Sequence, residues 1–189
     1  MPILDMKRFS TELAKDSNSP PIRSLNYAVA LIGTTISSKY ARLQQPCYNM
    51  ARKYMELCER DEDHTNLSSL NLFQALLFII RYEITAKRFT RAWMTLGRAI
   101  RLAKMLNLHQ MDRGVDSSDG GTGASSDLQM CLPPTQDPTS LEERRRSFWA
   151  LYIFEGYAST RSKMPCQFHE AQVYLPLFLL TPSSPITDA

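Results

Sequence analysis

Apolar residues recur along this chain with a period near 3.6 over most of its length, and two polar stretches interrupt them. The clearest case lies within residues 89–112. Ala92, Leu96, Ala99, Ala103 and Leu106 fall at i, i+4, i+7, i+11 and i+14 and share one face of a helix. Small residues on that face predict close approach by a neighbouring helix. Trp93, Gly97 and Ile100 form a second packing surface, with Gly97 one turn beyond Trp93, where a Cβ would crowd the partner. Asn107 suits the left-handed cap that ends such a helix. Upstream, Phe73, Leu77, Ile80 and Ile84 predict the facing stripe of a helix over 69–85, paired with 90–107 as an antiparallel hairpin.

An earlier hairpin is predicted from Leu25, Ala28, Val29, Ile32, Ile36, Tyr40 and Leu43, a turn at Gln45 and Pro46, and a second stripe of Cys47, Ala51, Tyr54 and Cys58. The first eighteen residues read as a short helix broken by 18–21, and 59–66 as a polar connector. From 110 to 140 the apolar period vanishes. Gly120, Gly121 and Gly123 suggest a phosphate loop, but no Lys-Ser/Thr pair follows and Asp116, Asp119 and Asp127 would repel phosphate, so the stretch reads as a flexible insertion. Thr139 and Ser140 stand three residues ahead of Glu142 and Glu143, the pattern of a capping box opening a helix over 141–157. Phe148, Trp149, Leu151 and Tyr152 make that helix apolar over a broad arc. The fold class is all-α, an irregular array of antiparallel helical hairpins with no repeat at a fixed period.

Composition narrows the function. The 189 residues, 43% hydrophobic and 22% charged, suit one globular domain, and a formal net charge of +3 is too small to signal nucleic-acid binding by itself. Residues 1–15 mix charges among the apolar positions, unlike a secretory signal, and no stretch approaches the ~20 apolar residues of a membrane span. Cys47, Cys58, Cys131 and Cys166 contain no C-x-x-C pair, and four thiols without a framework fit a reducing compartment. His64 lies six residues after Cys58, but in a polar loop away from that cysteine's apolar face, so a shared metal is not expected.

Arg144, Arg145 and Arg146 cannot present one basic face, because consecutive helical positions point ~100° apart. Arg91, Arg98, Arg101 and Lys104 follow the non-core side of their helix and read as solvated charge. No G-x-S-x-G or H-E-x-x-H is present, His109 and His169 read as structural, and no catalytic activity is expected. Trp93, Phe73, Phe148 and Tyr152 could line a pocket between helices; they read first as core.

Three motifs in order carry a resemblance. Gln74, Ala75, Leu76 and Leu77 supply a Q-A-L-L segment; Ala92, Trp93, Gly97, Ala99, Arg101, Ala103, Leu106, Leu108 and His109 supply A-W-x-x-x-G-x-A-x-R-x-A-x-x-L-x-L-H. Glu143, Arg145, Arg146, Trp149, Tyr152 and Glu155 supply E-x-R-R-x-x-W-x-x-[FY]-x-x-[DE], with Pro165 and Leu175-Pro176 following. The chain thereby resembles the regulatory, or middle homology, domain of fungal zinc-cluster transcription factors. The resemblance implies a regulatory role in transcription by RNA polymerase II and a nuclear location. It implies protein partners from the transcription machinery or the same family, a small-molecule effector, and no membrane.

The motif residues implied as important are Gln74, Trp93, Gly97, Arg101, His109, Arg145, Trp149, Glu155 and Pro165. A carboxylate beside the apolar arc of its helix needs a partner, and the family pattern offers Arg101, so an Arg101–Glu155 ion pair is expected. No cofactor is expected in this chain. Zinc belongs to the family's DNA-binding module, whose six closely spaced cysteines this sequence does not contain, so DNA would be reached only through that module. The expected organisation is an N-terminal segment 1–21, a regulatory domain 22–176 with its insertion at 110–140, and a tail 177–189 read as a truncation that leaves Phe148, Trp149 and Leu177 to Leu180 exposing apolar surface and predicts self-association or chaperone binding. The alternative is a freestanding helical module for protein interaction or ligand sensing, or a fragment without function.

Overall fold

The computed structural model describes residues 3–62, 65–112 and 132–168, together with Val173 and Leu175. His64, Cys131, His169, the glycines and aspartates of 113–131, and the tail 177–189 lie outside the described residues, as do the expectations attached to them. Among the described residues six α-helices follow one another and no strand occurs: α1 (Met6–Lys15), α2 (Pro20–Ile36), α3 (Gln44–Glu59), α4 (Leu70–Thr85), α5 (Phe89–Met105) and α6 (Pro138–Ser162). The fold is all-α, as its sequence period requires.

α4 is the centre. Ten of its residues, from Leu72 to Glu83, are buried, because α2, α3, α5 and α6 all pack against it. A helix covered on several sides needs apolar residues nearly all round, which explains the run LFQALLFII. α5 then lies alongside through its small face: Ala92, Leu96, Ala99, Ala103 and Leu106 are all buried, as the period predicts. The chain turns between α4 and α5 through Lys87, whose φ is 57°, and leaves α5 through Asn107 at φ 54°. Asn107 thus takes the left-handed position expected of it.

Two boundaries differ from the sequence expectation. The first hairpin does not turn at Gln45 and Pro46. Ser37 adopts an extended conformation after Ile36 and a 3-10 segment follows over Ser38–Leu43, so Ile36, Tyr40 and Leu43 are exposed although they continue the apolar period. Pro46 sits in the first turn of α3, where a missing N–H leaves no bond unmade. The second difference is the start of α6. Asp137 is its N-cap, accepting from the backbone N–H of Thr139 and Ser140, with Pro138 at the first helical position. Glu143, expected in a capping box, is buried and faces α1 instead.

Candidate functional site

Five of the nine motif residues converge on one cleft between α5 and α6. Trp93, Gly97 and Arg101 come from α5, Glu155 from α6, and Pro165 from the segment after α6. Their spacing along α5 is i, i+4, i+8, a single ridge facing the cleft. The cleft encloses about 290 Å³ and is floored by Leu96, Ile100 and Ala158. A second hollow of about 280 Å³ shares Trp93, Leu96 and Ala158 with the first and runs toward Phe89 and Tyr157. Arg161 stands at that end, its guanidinium 5.5 Å from the Phe89 ring centroid and 5.8 Å from that of Tyr157. Trp93, at the junction, is 40% exposed and therefore is not the core residue its position suggests.

Gly97 does not make room for a partner helix. A Cβ there would meet only the guanidinium of Arg101, at 3.5 and 3.8 Å, in ordinary contact. The Arg101 side chain folds back over Gly97. Nor is Arg101 the counter-ion of Glu155: among the described ion pairs none joins them. Glu155 is 4% exposed and accepts instead from the backbone N–H of Gln167, while Lys104 donates to the Gln167 carbonyl at 3.0 Å. The backbone of Gln167 is thereby gripped from α6 through its N–H and from α5 through its carbonyl. This clasp seats Phe168 edge-on to Phe148 at 5.2 Å and beside His109 at 6.0 Å. Burial, and then the charge of Lys104, lower the pKa of His109.

The remaining motif residues hold other parts together. Gln74, fully buried, donates from Nε2 to Glu143 at 2.9 Å and to the Ile3 carbonyl at 2.7 Å, and accepts from Arg8 at 3.0 Å. Arg145 makes a bidentate bond to Asp112 at 2.7 and 2.6 Å, tying the exit of α5 to α6. Trp149 sits edge-on to Phe148 and Tyr152, and with Phe148 fully buried and Trp149 half-buried against the core neither is the exposed apolar surface expected of a truncated domain. The three neighbouring arginines do diverge: Arg144 donates to the Pro133 carbonyl, Arg145 to Asp112 and Arg146 to Glu142.

The burial of two acids, Glu143 and Glu83, is not foreseen from the sequence. Glu143 accepts from Arg8 through Nε at 2.7 Å and Nη2 at 2.8 Å, and from the Asp5 backbone N–H at 2.9 Å. Glu83, fully buried on α4, accepts from the Tyr48 hydroxyl at 2.6 Å and Arg52 at 3.2 Å. Its place as the one acid of a mostly apolar helix is the sequence signal that would have pointed to Glu83. Among the described residues no group of three or more histidine, cysteine or acidic side chains gathers as a metal site would require. Among the described residues no helix is long and apolar enough to cross a membrane.

Residues 1–184 match the family described as "Fungal specific transcription factor domain". The chain belongs to that family. Among its relatives is the depudecin biosynthesis cluster-specific transcription activator of Alternaria brassicicola, 43% identical over 180 residues that cover 93% of this chain and 27% of the relative. The activator of the same name from Fusarium langsethiae is 43% identical over 92% of this chain and 27% of its own length. Transcription factor tazR of Aspergillus terreus is 27% identical over 92% of this chain and 25% of its own length. The chain thus spans about a quarter of these relatives. No solved structure matches it. Within this fungal-specific transcription factor domain, the W-x-x-x-G-x-x-x-R spacing builds one wall of an open cleft rather than a helix-packing seam.

Proposed function

We propose that this fungal-specific transcription factor domain is the regulatory part of a nuclear transcription activator, and that the α5–α6 cleft is where the activator reads an effector or partner. Its relatives are named as activators of biosynthetic gene clusters, which supports control of such a cluster here. DNA contact and zinc would belong to the family's separate cysteine-rich module, and the unit that folds and signals would comprise residues 22–176, braced by the N-terminal helix. No catalysis is assigned to it.

The observation that carries this reading is the convergence of Trp93, Gly97, Arg101, Glu155 and Pro165 on one cleft whose floor is apolar. A Trp left 40% exposed above such a floor is available to a ligand or to another chain. The test is a reporter driven by the cognate promoter, in cells carrying the whole factor with Trp93→Ala or Arg101→Ala. Altered output at unchanged protein level and unchanged melting temperature supports the reading; unchanged output from both variants overturns it. A fluorescent fusion of the whole factor that stays outside the nucleus would sink the location.

A further inference from the structure

A second surface, on the opposite side of α5 from its small core face, carries a concentrated positive charge. Two adjoining hollows meet at Thr90 and Arg91: one reaches Gln45, Lys87 and Arg88, the other Arg52, Met94 and Arg98. Five cations line them and no carboxylate does, although the formal charge of the whole chain is only +3. Two acids nearby offset part of this: Glu83, buried beneath, takes Arg52, and Glu59 pairs with Arg98 at 3.4 Å. Lys87, Arg88 and Arg91 have no acid within ion-pair distance among the described residues.

The cations are also held in place. Arg88 donates to Gln45 at 2.9 Å and lies over the rings of Tyr48 and Tyr82, 5.1 and 5.5 Å from their centroids. Arg52 is fixed by Glu83 and also lies over Tyr48, at 5.9 Å. Side chains braced on rings lose little freedom on binding. Beside them two large apolar residues face solvent, Phe89 at 47% and Met94 at 62% exposure.

We infer that this face of α3 and α5 docks an acidic peptide segment of a partner protein, one whose Asp and Glu residues alternate with bulky apolar ones. Carboxylates meet Lys87, Arg88 and Arg91, and the apolar side chains settle on Phe89 and Met94. The charge from Arg88, the N-cap of α5, to Arg98 extends about 15 Å along the helix at 1.5 Å per residue, the length of roughly four to five residues of extended peptide. A nucleic-acid backbone matches the charge but gives Phe89 and Met94 nothing to cover them.

The test uses the full 189-residue chain and fluorescence anisotropy with a labelled twelve-residue peptide of alternating Asp and Leu or Phe. Two competitors accompany it: the same peptide with Ser at each apolar position, and a twelve-base-pair DNA duplex. The expected result is saturable binding that weakens at least tenfold in Lys87→Glu/Arg91→Glu, weakens with rising salt, and falls severalfold in Phe89→Ser/Met94→Ser. The Ser peptide should bind at least fivefold more weakly. Both double variants change exposed residues, and an unchanged melting curve certifies their fold. Binding of the DNA duplex as tight as that of the apolar peptide, equal binding of the Ser peptide, or affinity untouched by either double variant overturns the inference.

Discussion

Replacing Glu143 by Gln should destabilise the protein by about 2–4 kcal/mol, and the loss should be read first in α1. The carboxylate is 5% exposed and accepts from four donors: the Asp5 backbone N–H, two guanidinium N–H groups of Arg8, and Gln74 Nε2. Gln keeps the volume but offers one acceptor oxygen and turns an NH2 toward groups that are themselves donors. Breaking a buried pair costs about 3–5 kcal/mol. That figure is an upper bound here, because Arg8 retains Glu12 at 2.9 Å and Asn71 at 2.8 Å, and its side chain is 19% exposed. At about 2–4 °C per kcal/mol for a chain of this size, the melting temperature should fall by roughly 4–16 °C.

Calorimetry measures the shift, and amide exchange locates it. Protection over Met6–Lys15 should drop by more than protection in α4. A double-mutant cycle with Arg8→Met and Glu143→Leu should return a coupling of about 2 kcal/mol. A Glu143→Gln protein within about 0.5 kcal/mol of the parent, or exchange in α1 unchanged, would refute the claim that this acid secures the N-terminal helix.

Three further outcomes follow from single side chains. Gly97→Ala should be neutral to stabilising by about 0.5–1 kcal/mol in urea melts, since the new methyl meets only Arg101 and a helix-interior glycine is costly; a loss above about 1 kcal/mol would restore the packing-seam explanation. Burial and the charges of Asp61 and Glu59 push the Cys58 thiol up to about 12, whereas Cys166 is exposed, so iodoacetamide at pH 8 should label Cys166 and spare Cys58 until the protein unfolds. Equal labelling by peptide mass spectrometry counts against it. The His109 imidazole should titrate by NMR below the ordinary histidine range. Since the unfolded chain then binds the proton first, stability should fall as pH drops below about 6.5, and His109→Gln should flatten that slope.

Helix existence was legible where the apolar period is strong, and least so where polar contacts decide. The small face of α5 and the exit at Asn107 follow from the sequence because each is a local matter of side-chain size or backbone freedom. Ile36, Tyr40 and Leu43 misled because they keep the period through a segment where the backbone has already left the helix. Glu143 misled differently: Thr139 and Ser140 offer a local cap for α6, and nothing local reveals Arg8, 135 residues away, or the Asp137-Pro138 start that does the capping. The cleft was half-visible. Its residues were recognised as a motif, yet the exposure of Trp93 and the clasp of Gln167 by Glu155 and Lys104 depend on how α6 crosses α5, which no periodicity contains.

The long reach from Arg8 to Glu143 also orders events during synthesis. At roughly 5–20 residues per second, the ribosome needs roughly 7–27 s to make the 135 residues that separate the two partners. The hairpins of α2 with α3 and α4 with α5 close over short sequence distances and can form in that interval. Helix α1 can meet α2, and Asn71 and Gln74 of α4, within that interval, so for those seconds Arg8 is held by neutral amides and Glu12 while the carboxylate that completes its network arrives last.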